Sequence, residues 1–298
     1  MKALQQLFLI TRGWSFPISL TAVTLGTAAA LEHTTVSIGL YGASLFGACA
    51  FHASANAFND YFDFKHGIDT PQSPTVLYRP HGIFQGLIRP QTLLKLSIGL
   101  LALALITGSC LAFKRCVWIW PILLAAVALN FFYTAHPQKN LKYTALGEMA
   151  VFLAFGPLLM EGGYAVQTRH LSWNVLFLSI PTGLLVALVL FANNLRDRGF
   201  DSAKGIRTLA TSISISAGKN LFLCLTFLPY LIIILYVFTG LVRPTALLTL
   251  ISLPLAKKIS HKINEKIPLA ADAIASKIAL YFNSLLIISL LLNLFLQF

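Results

Sequence analysis

The chain has 298 residues, of which 57% are hydrophobic and only 11% charged, with a mean hydropathy of +0.76. Soluble globular domains run near a quarter charged, so this balance excludes a soluble enzyme and points to a polytopic membrane protein. Twenty-two basic residues against ten acidic ones leave a net charge of +12, but the basic residues are dispersed between apolar stretches; that pattern fits topology and anionic lipid headgroups rather than nucleic acid.

Residues 2–11 form a short apolar run behind Lys2 with no small-residue cleavage site after it, and read as an uncleaved segment lying at the membrane interface. A spanning helix needs about 20 mostly apolar residues. On that basis nine spans follow in chain order: about 14–31, 36–61, 92–113, 116–133, 144–167, 172–195, 219–239, 243–258 and 277–297. The eighth is short and contains Pro254. The expectation is therefore an all-α membrane protein, a single domain over residues 1–298. Eighteen of the 22 Lys and Arg residues, Lys139 among them, fall on the side of the N-terminus under this count. The positive-inside rule then places the N-terminus and the longer loops in the cytoplasm. Two of these loops, about 62–91 and 196–218, exceed what a helix–helix turn requires. Cys49, Cys110, Cys116 and Cys224 show no CxxC pairing and read as ordinary membrane-helix residues.

The scarce acids are clustered. Asn56, Asn59, Asp60 and Asp63, with Asp69 beyond Gly67, close the second span; Asn193, Asn194, Asp197 and Asp201 close the sixth. Residues four apart on a helix share a face. Asn56, Asp60 and Asp63 follow an i, i+4, i+7 pattern, and Asn193, Asp197 and Asp201 follow i, i+4, i+8 if the helix persists that far. Either cluster alone reads as capping or solvation of a helix end. Two of matching composition on one membrane face favour a divalent cation, and magnesium takes carboxylate oxygen and bridges to phosphate. Lys65, Arg79, Lys142, Arg196, Arg198, Lys204 and Arg207 lie nearby in sequence, which adds the charge a diphosphate needs.

Other chemistries find less support. The seven histidines show no HxxxH or HExxH spacing, and His66 and His81, in the first long loop, are placed for an acceptor contact, with a solvated loop position the favoured reading. No GxGxxG, Walker or GxSxG motif is present. A transporter is the rival from another class, but it calls for polar residues near mid-membrane rather than at helix ends.

The segments Asn59-Asp60-Tyr61-Phe62-Asp63-Phe64-Lys65-His66-Gly67-Ile68-Asp69 and Asn193-Asn194-Leu195-Arg196-Asp197, with Asp201, resemble the UbiA superfamily of intramembrane prenyltransferases. Arg12-Gly13-Trp14-Ser15-Phe16-Pro17, Lys142-Tyr143 and Gly205-Ile206-Arg207-Thr208-Leu209-Ala210 look like its 1,4-dihydroxy-2-naphthoate branch, which serves menaquinone synthesis. The resemblance implies nine helices around a central cavity, with residues 62–91 and 196–218 as cytoplasmic cap loops. It implies transfer of a polyprenyl group from its diphosphate to an aromatic acceptor in a lipid bilayer, in the inner membrane of a prokaryote. In that reading Asp60, Asp63, Asp197 and Asp201, helped by Asn56, Asn59 and Asn194, hold two magnesium ions. Lys142, Arg196 and Arg207, with Lys65 or Lys204, neutralise the diphosphate. Asp69 supports the site or the cap, Tyr133 faces the allylic cation or anchors at the interface, Glu148 orients Lys142 or an acceptor hydroxyl, and Glu161 lies at the far interface. Another quinone precursor, a tetrapyrrole or a prenylated glycerol phosphate are the alternative acceptor classes. The absence of acid from residues 70–91 departs from the family pattern and bears on the acceptor.

Overall fold

The structure is a computed structural model that describes residues 2–135 and 140–296. Lys139, counted above, lies outside the described residues. A short helix α1 (Lys2–Ile10) leads into α2 (Phe16–Ala30) and α3 (Ile38–Lys65). Next come α4 (Pro74–Tyr78), α5 (Pro90–Lys114) and α6 (Ile119–Asn130), the last continued by a π-helical turn over Phe131–Ala135. Helix α7 (Gly147–Leu153), a second π-helical turn (Ala154–Leu158) and α8 (Leu159–Thr168) form one continuous rod. Then follow α9 (Trp173–Ala203), α10 (Leu209–Ser212), α11 (Ile215–Phe238), a 3-10 stretch (Pro244–Ser252), α12 (Leu253–Glu265) and α13 (Ala271–Phe295). Among the described residues the only extended pairing is an isolated bridge between Thr144 and Arg207.

Among the described residues, six helices are long and apolar enough to cross a membrane: Ile38–Lys65, Pro90–Lys114, Gly147–Thr168, Trp173–Ala203, Ile215–Phe238 and Ala271–Phe295. The expected spans at 14–31, 116–133 and 243–258 fall on shorter pieces. Helix α2 has 15 residues, and a left-handed Arg12 (φ 55°) precedes the 3-10 turn in front of it. The 243–258 stretch divides between 3-10 and α-helix, and a 3-10 turn covers about 2.0 Å per residue against 1.5 Å for an α-helix.

Two helices run further than hydropathy indicated. Helix α3 continues past residue 61 to Lys65, and α9 past residue 195 to Ala203. The loops expected from 62 and 196 therefore begin later, because hydropathy marks where hydrocarbon would end and not where backbone hydrogen bonding stops. Asp63, Asp197 and Asp201 are consequently helical, as Asp60 already was. The rod from α7 to α8 passes Pro157, which lacks an N–H and crowds the Leu153 carbonyl, and accommodates it as a π-helical turn.

Small residues bring the helices together. A Cβ on Gly26 of α2 would lie 2.0 Å from the Met160 carbonyl oxygen of α8, and one on Gly163 would lie 2.7 Å from that of Val23. Leu25, Leu185, Phe191, Phe222 and Phe282 are fully buried in the core where α2, α9, α11 and α13 meet. Two polar pairs inside this core satisfy each other, as a dry interior favours: Thr182 donates to Asn283 Oδ1 at 3.0 Å, and Tyr230 and Ser252 share a hydrogen bond of 2.8 Å.

Candidate active site

A cavity of ≈ 410 Å³ opens between α2, α3, α6, the α7–α8 rod and α9. Its inner end is apolar, lined by Leu111, Ile119, Ile122, Leu123 and Val166. Its other end carries Asn59, Asp63, Asp69, Lys142, Asp197 and Asp201. Helical spacing accounts for this on both sides. Asn56, Asn59 and Asp63 recur on the cavity face of α3, as do Asn193, Asn194, Asp197 and Asp201 on α9.

Most of these carboxylates have basic or hydroxyl partners drawn from distant parts of the chain. Arg12 and Arg79 both donate to Asp60 Oδ1, the latter at 3.2 Å. Lys142 donates to Asp63 Oδ2 at 2.5 Å and to Asn59 Oδ1 at 3.0 Å, and the Tyr143 hydroxyl donates to Asp63 Oδ1 at 2.5 Å. Burial works against the Lys142 ammonium, but Asp63 and its neighbours outweigh it and raise the lysine above its ordinary value. Burial and the Asp63 carboxylate together push the Tyr143 phenol well up. At Asp69 burial opposes ionisation, yet His81 and Lys142 hold the carboxyl below the usual range.

Around the second cluster, Arg196 grips Asp197 with two nitrogens, at 2.7 and 2.8 Å, and also reaches Asp272 at 3.2 Å. Thr75 of α4 donates to Asp197 Oδ2 at 3.1 Å and accepts from Arg196 at 2.7 Å. Asp201 lies within electrostatic reach of Asp63, Asp69 and Lys142, so the two clusters meet.

The remaining candidates divide. Asn194 lines the cavity and donates to Glu148 Oε1 at 2.9 Å, so Glu148 is engaged by α9 rather than by Lys142. Asn56 donates to the Thr11 carbonyl at 3.0 Å and to Ser15 Oγ at 3.1 Å, securing the turn that presents Arg12. Tyr133 lines the cavity from the first π-helical turn. Glu161 accepts from the Ser172 amide at 3.2 Å, where α8 passes to α9. Lys65, Lys204 and Arg207 are exposed and outside the cavity wall. Lys204 instead donates to the Gly67 and Ile68 carbonyls at 2.9 and 2.7 Å, tying the end of α9 to the segment after α3.

Sequence reading gave Arg12 and Tyr143 no role in the site, although both lie in segments that carry the resemblance, and it favoured a solvated His81. That histidine is fully buried rather than solvated, because its ring packs on Phe84 (4.7 Å between centroids) beside two carboxylates. One ligand atom each from Asp60, Asp69 and His81 lies within 4.8 Å of the others. Linear spacing shows none of this. The four cysteines are free; Cys49, Cys110 and Cys224 lie in helices, whereas Cys116 lies between α5 and α6 and donates to the Arg169 carbonyl at 3.2 Å.

The sequence model of the UbiA prenyltransferase family matches residues 19–285. The 1,4-dihydroxy-2-naphthoate octaprenyltransferase of Bacillus subtilis (strain 168) is 26% identical over 295 residues, covering 98% of this chain and 94% of its own. The apo structure of a UbiA homolog from Aeropyrum pernix K1 superposes with a TM-score of 0.71 at 13% identity, over 92% of this chain and 97% of that one. A UbiA homolog from Archaeoglobus fulgidus bound to DMAPP and Mg2+ gives 0.63 at 15% identity, over 94% and 99%. At these identities the two structures show a common fold. With a family model that spans most of the chain, the conclusion is direct: the protein belongs to the UbiA prenyltransferase family.

Proposed function

We propose that the protein transfers a polyprenyl group from its diphosphate to an aromatic carbon, with magnesium as cofactor and 1,4-dihydroxy-2-naphthoate as the acceptor. The observation that carries this reading is the meeting of two carboxylate clusters and Lys142 at one end of an otherwise apolar cavity. The relative from Bacillus subtilis supports the acceptor by its name, and the Archaeoglobus homolog supports the diphosphate and the ion. The donor set fits the cation: Asp60, Asp63, Asp197 and Asp201, with Asn59, offer oxygen from two facing helices. Buried guanidinium nitrogens without partners, Arg12 Nε and Arg79 Nη1, fit the anion that would accompany it. Magnesium, when bound, offsets the charge that builds on a departing diphosphate.

The protein's own residues divide the remaining work. Arg12, Arg79, Lys142 and Arg196 neutralise the carboxylates in the free site, and turn to phosphate oxygens when the diphosphate enters. Lys65, Lys204 and Arg207, exposed nearby, attract the diphosphate at longer range. The prenyl chain lies along the apolar end, which excludes water while the bond from C1 to the bridging oxygen breaks and its electron pair leaves with the diphosphate. Tyr133 and Phe155 present aromatic rings to the allylic cation. The acceptor ring carbon attacks C1, and loss of its carboxylate as CO₂ restores aromaticity. In this reading residues 1–298 are one domain of nine spans, with the segments after α3 and α9 as cytoplasmic caps, in the inner membrane of a prokaryote.

Incubating membranes with radiolabelled polyprenyl diphosphate, magnesium and a panel of aromatic acceptors tests the reading. Prenylated product with dihydroxynaphthoate alone is expected. Product with a different acceptor overturns the acceptor, and no diphosphate release with any of them overturns the reaction.

A further inference from the structure

Nearly every side-chain hydroxyl and carboxamide on the cavity wall already has a hydrogen-bond partner within the protein. Ser15 donates to the Arg12 carbonyl at 2.8 Å, Ser44 to that of Leu40 at 2.9 Å, and Ser19 meets His52 Nδ1 at 2.7 Å. Thr75, Tyr143, Thr208 and the four asparagines of the two motifs are likewise engaged. Among the described residues two groups remain: the Asn130 carboxamide and the Tyr133 hydroxyl line the cavity with no hydrogen-bond partner.

Helix α6 accounts for their placement. At 100° per residue Asn130 lies within about 40° of Ile119, Leu123 and Ala126, which line the same cavity. Tyr133 follows three residues later in the π-helical turn, whereas Leu124, on the outer side of the helix, is 72% exposed. Asn130 and Tyr133 are half-buried. A carboxamide alone on a wall of leucine, isoleucine and alanine gives up its hydration for nothing, a cost that a ligand with its own polar group removes.

The level of the two groups says which part of a ligand they meet. Tyr133 is within electrostatic reach of Lys142 and Asp63, beside the charged end, and Asn130 stands about one helical turn deeper. A dihydroxynaphthoate carries its carboxylate and one hydroxyl side by side, with the second hydroxyl para to the first. Its anionic edge is drawn to the cations of the charged end. The outlying hydroxyl then points inward, where α6 offers it a carboxamide.

We propose that Asn130 is a specificity-determining contact for the acceptor, its carboxamide oxygen accepting from the ring hydroxyl para to the one beside the carboxylate. This rests on the reading of the protein as a prenyltransferase that takes a hydroxylated naphthoate. An acceptor without that hydroxyl leaves the carboxamide unpaired and is disfavoured.

The test is equilibrium binding of two naphthoates to the purified full-length protein in detergent, without air and with magnesium and inorganic diphosphate present. One probe is 1,4-dihydroxy-2-naphthoate; the other, 1-hydroxy-2-naphthoate, lacks the outlying hydroxyl. Wild type is expected to bind the first about 10-fold more tightly, and Asn130→Leu to bind both equally. Wild type that binds neither probe, or binds both alike, overturns the proposal without any variant. Discrimination that persists in Asn130→Leu overturns it too; should that variant fail to fold, Asn130→Ala takes its place. Turnover is measured separately. A protein that discriminates the probes through Asn130 but forms no prenylated product counts against the proposed function and not against this contact. Prenylation of dihydroxynaphthoate with the same KM in Asn130→Leu as in wild type counts against the contact alone.

Discussion

Asp63 accepts from Lys142 and Tyr143, and Asp60 accepts from Arg12 and Arg79, so the first motif is charge-matched before any ligand arrives. Lys142 is the pivot of this arrangement, because it touches both Asp63 and Asn59. Lys142→Ala should lower kcat/KM for the prenyl diphosphate by about 100-fold, the scale of losing one charged contact to a leaving group. Lys142→Arg should recover part of it, since charge survives but the compact ammonium does not. Steady-state kinetics with both variants check this. Spacing put Asn56, Asp60 and Asp63 on one helical face, whereas the cavity wall carries Asn56, Asn59 and Asp63, and Asp60 lies off it, paired with Arg12 and Arg79. Their partners were not legible in the sequence. Arg12 lies 48 residues from Asp60, and Lys142 lies 79 from Asp63, and no local pattern encodes such pairings. His81 was misread for a related reason: a loop histidine is ordinarily wet, and only the packing of Phe84 and two carboxylates buries this one.

Helices position these groups, and their close approaches are specific. Gly26 sits against the Met160 backbone with no room for a methyl group. Gly26→Ala should force α2 and α8 apart and destabilise the protein by about 1–3 kcal/mol, read as a lower Tm in detergent. The Lys204 contact to the Gly67 and Ile68 carbonyls joins the two motif helices beyond their last turns. Lys204→Ala should free the segment that carries Asp69, giving faster proteolysis within residues 66–89 and a severalfold rise in KM for the diphosphate. At this scale hydropathy located the long helices but misplaced their ends. Helices α3 and α9 keep their backbone hydrogen bonds well past the apolar residues, and that extension makes Asp63 and Asp201 helical. Pro157 was visible in sequence, but a proline alone does not distinguish a kink from a π-helical turn.

The whole molecule is a helical bundle whose cavity has one charged end and one apolar end, matching the two halves of a prenyl diphosphate. In the proposed reading, the charge asymmetry of the loops orients that bundle with its charged end toward the cytoplasm. His66→Cys, on an exposed position just past α3, should therefore react with a membrane-impermeant maleimide from the cytoplasmic side only, in a background without the four native cysteines. The central claim is that both motifs serve one diphosphate, and the most direct measurement is diphosphate release by purified protein carrying Asp60→Ala or Asp197→Ala singly. Each change alone should reduce turnover by about 1000-fold while Tm and elution stay those of the folded protein. Turnover near wild type in either variant would contradict the account.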